Sequence, residues 1–227
     1  MNDRGDFPAK WLLNPLHQTY PKSIKFPLTG SQYALLRPVF LQQNNLAVTP
    51  EKLLITLGGT DPLALTLPIL KALLTSGFPA KYIQVLLGAS AKKADRVLSF
   101  CEENNIYVEK GLSDVTPLMK QAKMAISAAG GTLFELACLG VPTVFAQVAD
   151  NQTCSLEQHV PLGWCRSVRF DNVSEEARRH RIEQLIEELN GRWLDLEWQK
   201  KARKTAQGLV DGAGAERVAK AIDAYFS

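Results

Sequence analysis

Residues 123–152 read KMAISAAGGTLFELACLGVPTVFAQVADNQ, and no other stretch restricts the possible folds as much. Met124-Ala125-Ile126-Ser127 is a short apolar run that suits one buried parallel strand. Ala128-Ala129-Gly130-Gly131 lets the backbone turn with no bulky side chain in the way. Thr132 and Glu135 have the Thr-x-x-Glu spacing of a capping box, which predicts a helix beginning at Thr132. That helix is apolar through Leu133, Phe134, Leu136, Ala137 and Leu139, and stops at Gly140 and Pro142. Residues 143–146 are the next apolar run. Strand, glycine-rich turn, helix and strand make one βαβ unit, and the start of its helix offers unpaired N–H groups to an anion such as a phosphate.

The same alternation extends to both sides. Residues 53–57 form a buried strand, residues 58–62 (GGTDP) a turn, and residues 63–75 a helix with Pro62 near its start. Strands follow at 82–87 and 106–108, with a helix at 91–103 and a short one at 114–121. Beyond residue 149 come a helix ending near His159, a strand at 164–168, and helices at 174–189, 192–210 and 214–226. The last is amphipathic through Val218, Ala221, Ile222 and Tyr225. Alternating strands and helices with short loops predict an α/β fold. Its Rossmann-like parallel sheet is flanked by helices on both faces and joined by right-handed connections. Ligands in such sheets bind beyond the carboxyl ends of the strands, at a topological switch point. The domain so read spans residues 51–227.

Residues 1–50 differ. Pro8, Pro15, Pro21, Pro27, Pro38 and Pro50 recur at intervals that forbid a long helix. Trp11-Leu12-Leu13 and Tyr33-Ala34-Leu35-Leu36 suit edge strands or a short helix. This segment reads as an extended lead-in, the linker from or remnant of an N-terminal domain.

Composition excludes several classes. A net charge of +3, with the basic residues spread out, lacks the concentrated patch of a nucleic-acid binder. No run of 18 apolar residues predicts a membrane span, and the first residues lack the apolar core of a signal peptide. Cys101, Cys138, Cys154 and Cys165 have no paired spacing and read as reduced structural thiols of a cytoplasmic protein. The histidines, His17, His159 and His180, make no metal pattern, and no cofactor is implied.

Candidate binding residues lie at the predicted strand ends. Gly58, Gly59 and Thr60 form either a ligand-approaching turn or a tight turn capped by Asp61. There is no Walker lysine and no G-x-G-x-x-G spacing. Gly130, Gly131 and Thr132 make a second such turn in the same sheet, and two turns facing one cleft suit a diphosphate. Glu135 serves either the capping box or a pair of vicinal hydroxyls, as on a ribose. Asn151 and Gln152 offer uncharged donors and acceptors for sugar hydroxyls, or cap the following helix. No nucleophilic triad or paired carboxylates stand out, so the domain reads as better at binding than at bond-making.

GGTDP, then SAAGGTLFELACLGVPTVF, then a loop ending in Asn151-Gln152, then DGAGAERV at 211–218 resemble, in that order, the C-terminal half of the PseG/SpsG-like nucleotide-sugar hydrolases. These are relatives of the MurG-type glycosyltransferases, with the GT-B architecture of two Rossmann-like domains. Tyr33-Ala34-Leu35-Leu36-Arg37-Pro38-Val39-Phe40 is similar to that family's passage between domains, so the resemblance covers roughly residues 30–227. It implies a UDP-sugar ligand, the reference substrate being UDP-2,4-diacetamido-2,4,6-trideoxy-β-L-altropyranose of pseudaminic acid synthesis. It implies that Gly130, Gly131 and Thr132 bind the diphosphate, with Ala129 beside them in the substrate site, Glu135 the ribose, and Lys110, Gly111 and Leu112 the uracil. Gly58, Gly59 and Thr60 border the cleft. Asn151, beside Gln152, matches a position implicated in catalysis. The family's catalytic histidine belongs to a glycine-rich loop of the N-terminal half, and this sequence has no such loop. The resemblance therefore implies a further Rossmann-like half of about 100–150 residues, supplied by another chain if not by this one, and little turnover by this chain alone. Two other readings stand beside it: the donor-binding half of a split glycosyltransferase, and a non-enzymatic interaction module.

Overall fold

The computed structural model of the protein describes residues 9–17, 24–41 and 49–226. Its central element is a six-stranded sheet made of β3 (Lys52–Thr56), β4 (Ile83–Leu87), β5 (Tyr107–Lys110), β6 (Ala122–Ala128), β7 (Thr143–Gln147) and β8 (Cys165–Arg169). The strands run in the order β5-β4-β3-β6-β7-β8, and every pairing is parallel. The chain winds outward from β3 to β5, returns to place β6 on the other side of β3, and winds outward again. The topological switch point therefore lies between β3 and β6, and the loops after these two neighbours open into one crevice.

Helices cover both faces, and the strands show why. Along β3, Leu53 and Ile55 point to one core while Leu54 points to the other. Met124 and Ile126 against Ala125, and Val144 and Ala146 against Phe145, alternate in the same way. With both sides of the pleat apolar, neither face can be left to water. The first core is closed by α1 (Thr66–Thr75), α2 (Ala94–Glu103) and α6 (Glu175–Trp193). The second is closed by α3 (Thr116–Gln121), α4 (Thr132–Cys138), α5 (Thr153–His159) and α7 (Leu196–Leu209). The last helix, α8, spans Gly214–Phe226 as its periodicity predicts.

Several boundaries differ from the sequence reading, α2 for instance starting at Ala94 rather than residue 91. Helix α1 begins at Thr66 rather than residue 63. Asp61 and Ala64 hold left-handed φ angles of 41° and 51°, which adds a turn containing Pro62 before the helix can start. Helix α6 continues to Trp193, and α7 starts only at Leu196, because the Asp195 carboxylate caps it by accepting the Trp198 N–H at 2.9 Å.

Within the lead-in, β1 (Trp11–Asn14) and β2 (Phe26–Thr29) form a small separate parallel sheet. Of the two alternatives for Trp11–Leu13, an edge strand or a short helix, the structure shows the strand. Residues 33–36 make neither a strand nor a helix of their own, because a single 3-10 turn over Ser31–Tyr33 leads into extended chain at Ala34. Pro8 and Pro21 lie outside the described residues. Trp11 stacks on Phe26 at 4.5 Å, and both rings meet Tyr225 of α8 edge-on.

The DGAGAERV segment acts here as a clasp. Arg217 grips Asp211 and donates to the Gln32 carbonyl at 2.9 Å. Gly214 lies so close to the chain at residues 33–34 that a Cβ there would sit 2.1 Å from the Ala34 carbonyl oxygen. The hydrogen-bonded Arg217 guanidinium holds the Asp211 carboxyl down to a pKa of about 2. The extended chain at residues 34–37 is thereby pinned along the mouth of the switch-point crevice.

Candidate functional site

The β3–α1 loop closes on itself. Asp61, almost fully buried, accepts the Leu65 N–H at 2.9 Å, the Thr66 N–H at 3.0 Å and the Thr66 hydroxyl at 2.7 Å. Its carboxylate is thus consumed as the cap of α1, leaving Gly58, Gly59 and Thr60 as the part of the loop that faces the crevice. The loop also sits tight against the end of β4. A Cβ at Gly88 would lie 2.2 Å from the Gly59 carbonyl oxygen, so glycine at 88 is what allows this approach.

The β6–α4 turn behaves differently, and it corrects one expectation. The capping box is not formed. The residue preceding α4 is Gly131, at φ −55° and ψ −30°, and no side chain caps the helix. Gly130 and Gly131 already curl helically, with their carbonyls accepting the Leu133 and Phe134 N–H groups at 3.0 and 3.1 Å. This puts Thr132 inside the helix, where its hydroxyl cannot reach back. The N–H groups of Gly130, Gly131 and Thr132 have no hydrogen-bond partner among the described residues. Released from capping, Glu135 turns its carboxylate to Arg37, whose Nη2 lies 3.1 Å from Oε1. Arg37 also donates to the Ser113 carbonyl and lies over the Phe40 ring at 5.5 Å.

These loops enclose a cavity of about 520 Å³ at the carboxyl ends of β3, β6 and β7. Gly58, Gly59 and Thr60 form one wall and Gly130, Gly131, Thr132 and Glu135 another. Asn151 and Gln152 close the far side, and Leu35, Leu36 and Arg37 lie across the mouth. Two smaller hollows continue from it. One, of about 230 Å³, is bounded by Gly58, Gly59, Thr132 and Glu135 and by Gly111 and Leu112 after β5. The other, of about 400 Å³, is lined by Ala129, Gly130, Gly131, Asn151 and Gln152 together with the apolar Leu13, Leu16, Leu36 and Phe134.

The predicted residues therefore gather in one connected crevice, with one exception. Lys110 ends the edge strand β5, is exposed, and lines none of these hollows. Gln152 already has structural work, since its side-chain oxygen accepts the Val148 N–H at 2.9 Å and shapes the loop that presents Asn151. Arg169 braces the same loop, joining Asp150 at 3.5 Å to the buried Asp171 at 2.9 Å. Arg37 is the charged crevice residue that pattern reading missed. It is 98 positions from Glu135, so no spacing rule connects them, and the one available signal was a lone arginine in the LLRP passage.

The histidines and cysteines stand apart. His159 is buried, takes the Trp164 indole N–H on Nδ1 at 3.3 Å, and lies edge-on to Phe134 of α4. Burial lowers its pKa to about 4, as does the nearby His17 to a smaller degree. All four cysteines are free, and burial raises the thiols of Cys101 and Cys138 to about 11 and that of Cys165 further. Among the described residues no group of side chains could hold a metal ion, and no helix is long and apolar enough to cross a membrane.

A doubly wound parallel sheet with glycine-rich loops at its switch point is a Rossmann-like fold, and the six strands with their flanking helices match the Rossmann-like domains of GT-B proteins. No protein-family model matches the chain. It is 26% identical over 194 residues to the spore coat polysaccharide biosynthesis protein SpsG of Bacillus subtilis, covering 83% of this chain and 56% of that protein. It is 29% identical over 125 residues to an uncharacterised protein of Methanocaldococcus jannaschii, covering 51% and 26% respectively. The chain thus spans about half, or less, of the curated relatives it matches. Among solved structures, MurG of Acinetobacter baumannii superposes with a TM-score of 0.62 at 20% identity, over 95% of this chain and 60% of that one. S. aureus MnaA, solved with UDP, follows at 0.54 and 14% identity, over 78% and 46%.

Proposed function

We propose that this chain binds a nucleoside diphosphate sugar, specifically a UDP-sugar, and serves a hydrolase of surface polysaccharide or nonulosonic acid synthesis. The observation that carries the reading is the meeting of two glycine-rich strand-end loops in one crevice at the switch point. Bare backbone on both sides leaves room for a diphosphate, and the free N–H groups of residues 130–132 supply donors for it. The 230 Å³ hollow takes the base against Gly111 and Leu112. Glu135, at the junction of the two hollows, accepts the ribose hydroxyls. The sugar lies toward Asn151, and the apolar hollow behind it suits a deoxy, acylated sugar such as the diacetamido-trideoxy-altropyranose. The similarity to SpsG supports the polysaccharide setting.

In this reading water attacks the anomeric carbon, the glycosidic C–O bond breaks, and UDP leaves with its charge held by the backbone donors. The base that activates the water comes from a second Rossmann-like half facing the 147–152 loop, and Asn151 orients the sugar. Calorimetry with UDP, GDP and dTDP tests the nucleotide assignment. Preferential binding of UDP is expected, and a folded sample that binds none of the three at millimolar concentration overturns the reading in favour of an interaction module. The chain alone is expected to release UDP from the altropyranose substrate only slowly. Rapid release would remove the need for a second half, and sugar transfer to an acceptor would point to a glycosyltransferase instead.

A further inference from the structure

We propose that Arg37 recognises the diphosphate of the bound nucleotide, and that its ion pair with Glu135 couples phosphate binding to ribose binding. This rests on the nucleotide-sugar reading and adds to it a residue from the segment before β3, far in sequence from the glycine-rich loop of Glu135 but packed on the same core through Ala34 and Phe40. Among the described residues lining the three connected hollows, Arg37 is the sole cation and Glu135 the sole carboxylate. A diphosphate brings at least two negative charges into this space. Backbone N–H groups offer only partial charges, and Glu135 would repel the ligand if left unpaired. Arg37 is the one group able to offset both.

The guanidinium is placed for that task. Its Nη2 faces Glu135, its Nη1 holds the Ser113 carbonyl, and Phe40 backs its plane. The side chain is nonetheless 43% exposed at the cavity mouth. A guanidinium has five donors, so a phosphate can be met bidentately. Two of these contacts, to Ser113 and Glu135, tie Arg37 to the base and phosphate hollows. Ser113 belongs to the loop that walls the base hollow, Glu135 stands between the base and phosphate hollows, and the guanidinium borders the phosphate hollow. In the free protein Arg37 occupies Glu135. When phosphate oxygens draw the guanidinium away, the carboxylate is released to accept two ribose hydroxyls. A nucleoside alone must compete with Arg37 for Glu135, whereas a nucleoside diphosphate gives each partner a new one. The two halves of the ligand therefore bind with positive coupling.

Calorimetry with uridine and UDP on the wild-type chain, Arg37→Gln and Arg37→Lys tests this. Arg37→Gln is expected to lower UDP affinity roughly ten- to a hundredfold, while uridine affinity holds or rises. Arg37→Lys should restore part of the loss, since it keeps the charge without the fork. An equal loss for uridine and UDP would reduce Arg37 to a brace for the base loop and overturn the inference, as would unchanged UDP affinity. The coupling is also measured without any variant: saturating pyrophosphate should raise the affinity of the wild-type chain for uridine, and a fall or no change overturns it. A wild-type chain that binds none of these ligands refutes the nucleotide reading itself, a result distinct from UDP binding that ignores Arg37.

Discussion

The loops after β3 and β6 are neighbours at the switch point, both are glycine-rich, and they solve the same problem in opposite ways. The first directs its acid inward: Asp61 accepts three hydrogen bonds from the start of α1 and is sealed from solvent. The second has no cap, so its N–H groups stay open and its acid, Glu135, reaches outward to Arg37. A helix start can be stabilised by its own side chain or left available to a ligand, and this crevice has one of each. The first loop supplies a closed wall and the second the open N–H donors and the carboxylate that face the crevice.

The sharpest way to break this contrast is to fill the second turn. Gly131 has ordinary helical φ, and a Cβ there meets nothing within 4 Å. Gly131→Leu should fold normally yet weaken UDP binding by roughly a hundredfold or more in calorimetry. Unchanged binding would move the ligand elsewhere. Asp61→Ala should do the reverse, lowering unfolding stability by about 2–4 kcal/mol in denaturant titrations while the folded fraction still binds UDP. A loss of binding with stability intact would give the first loop a ligand role. Behind α4, His159 ties stability to pH. Folded, it takes up a proton only near pH 4, whereas the unfolded chain does so near 6.5, so unfolding binds a proton between them. Stability should therefore fall as pH drops through that window, by on the order of 2 kcal/mol, and His159→Gln should flatten the profile. A wild-type melting temperature that does not change between pH 7 and 4 would contradict this. The smallest stability effect belongs to Glu135→Gln. The half-exposed Arg37 pair contributes under about 1 kcal/mol to folding, so UDP affinity should fall with the melting temperature nearly unmoved. A large drop in melting temperature would recast Glu135 as structural.

Much of this was legible from residue types alone. Strands β3, β6 and β7 show as short runs apolar on both faces, and α8 shows by its periodicity. Gly58-Gly59 and Gly130-Gly131 mark turns that nothing bulky blocks. Less could be read near the loops. Thr132 and Glu135 have capping-box spacing, but the helical curl of Gly130-Gly131 makes Gly131 the cap position and undoes it. The motif at 211–218 was recognisable, but its role as a clasp on residues 32–34 was not.

The sequence by itself determined the alternation of strands and helices and where the backbone would be bare, because both follow from local periodicity and from the absence of side chains. Only the tertiary structure decided that β6 lies beside β3, which brings two loops some 70 residues apart into one crevice. It alone set Arg37 against Glu135. An ion pair depends on distance in space, and nothing in the spacing of residues along a chain encodes that.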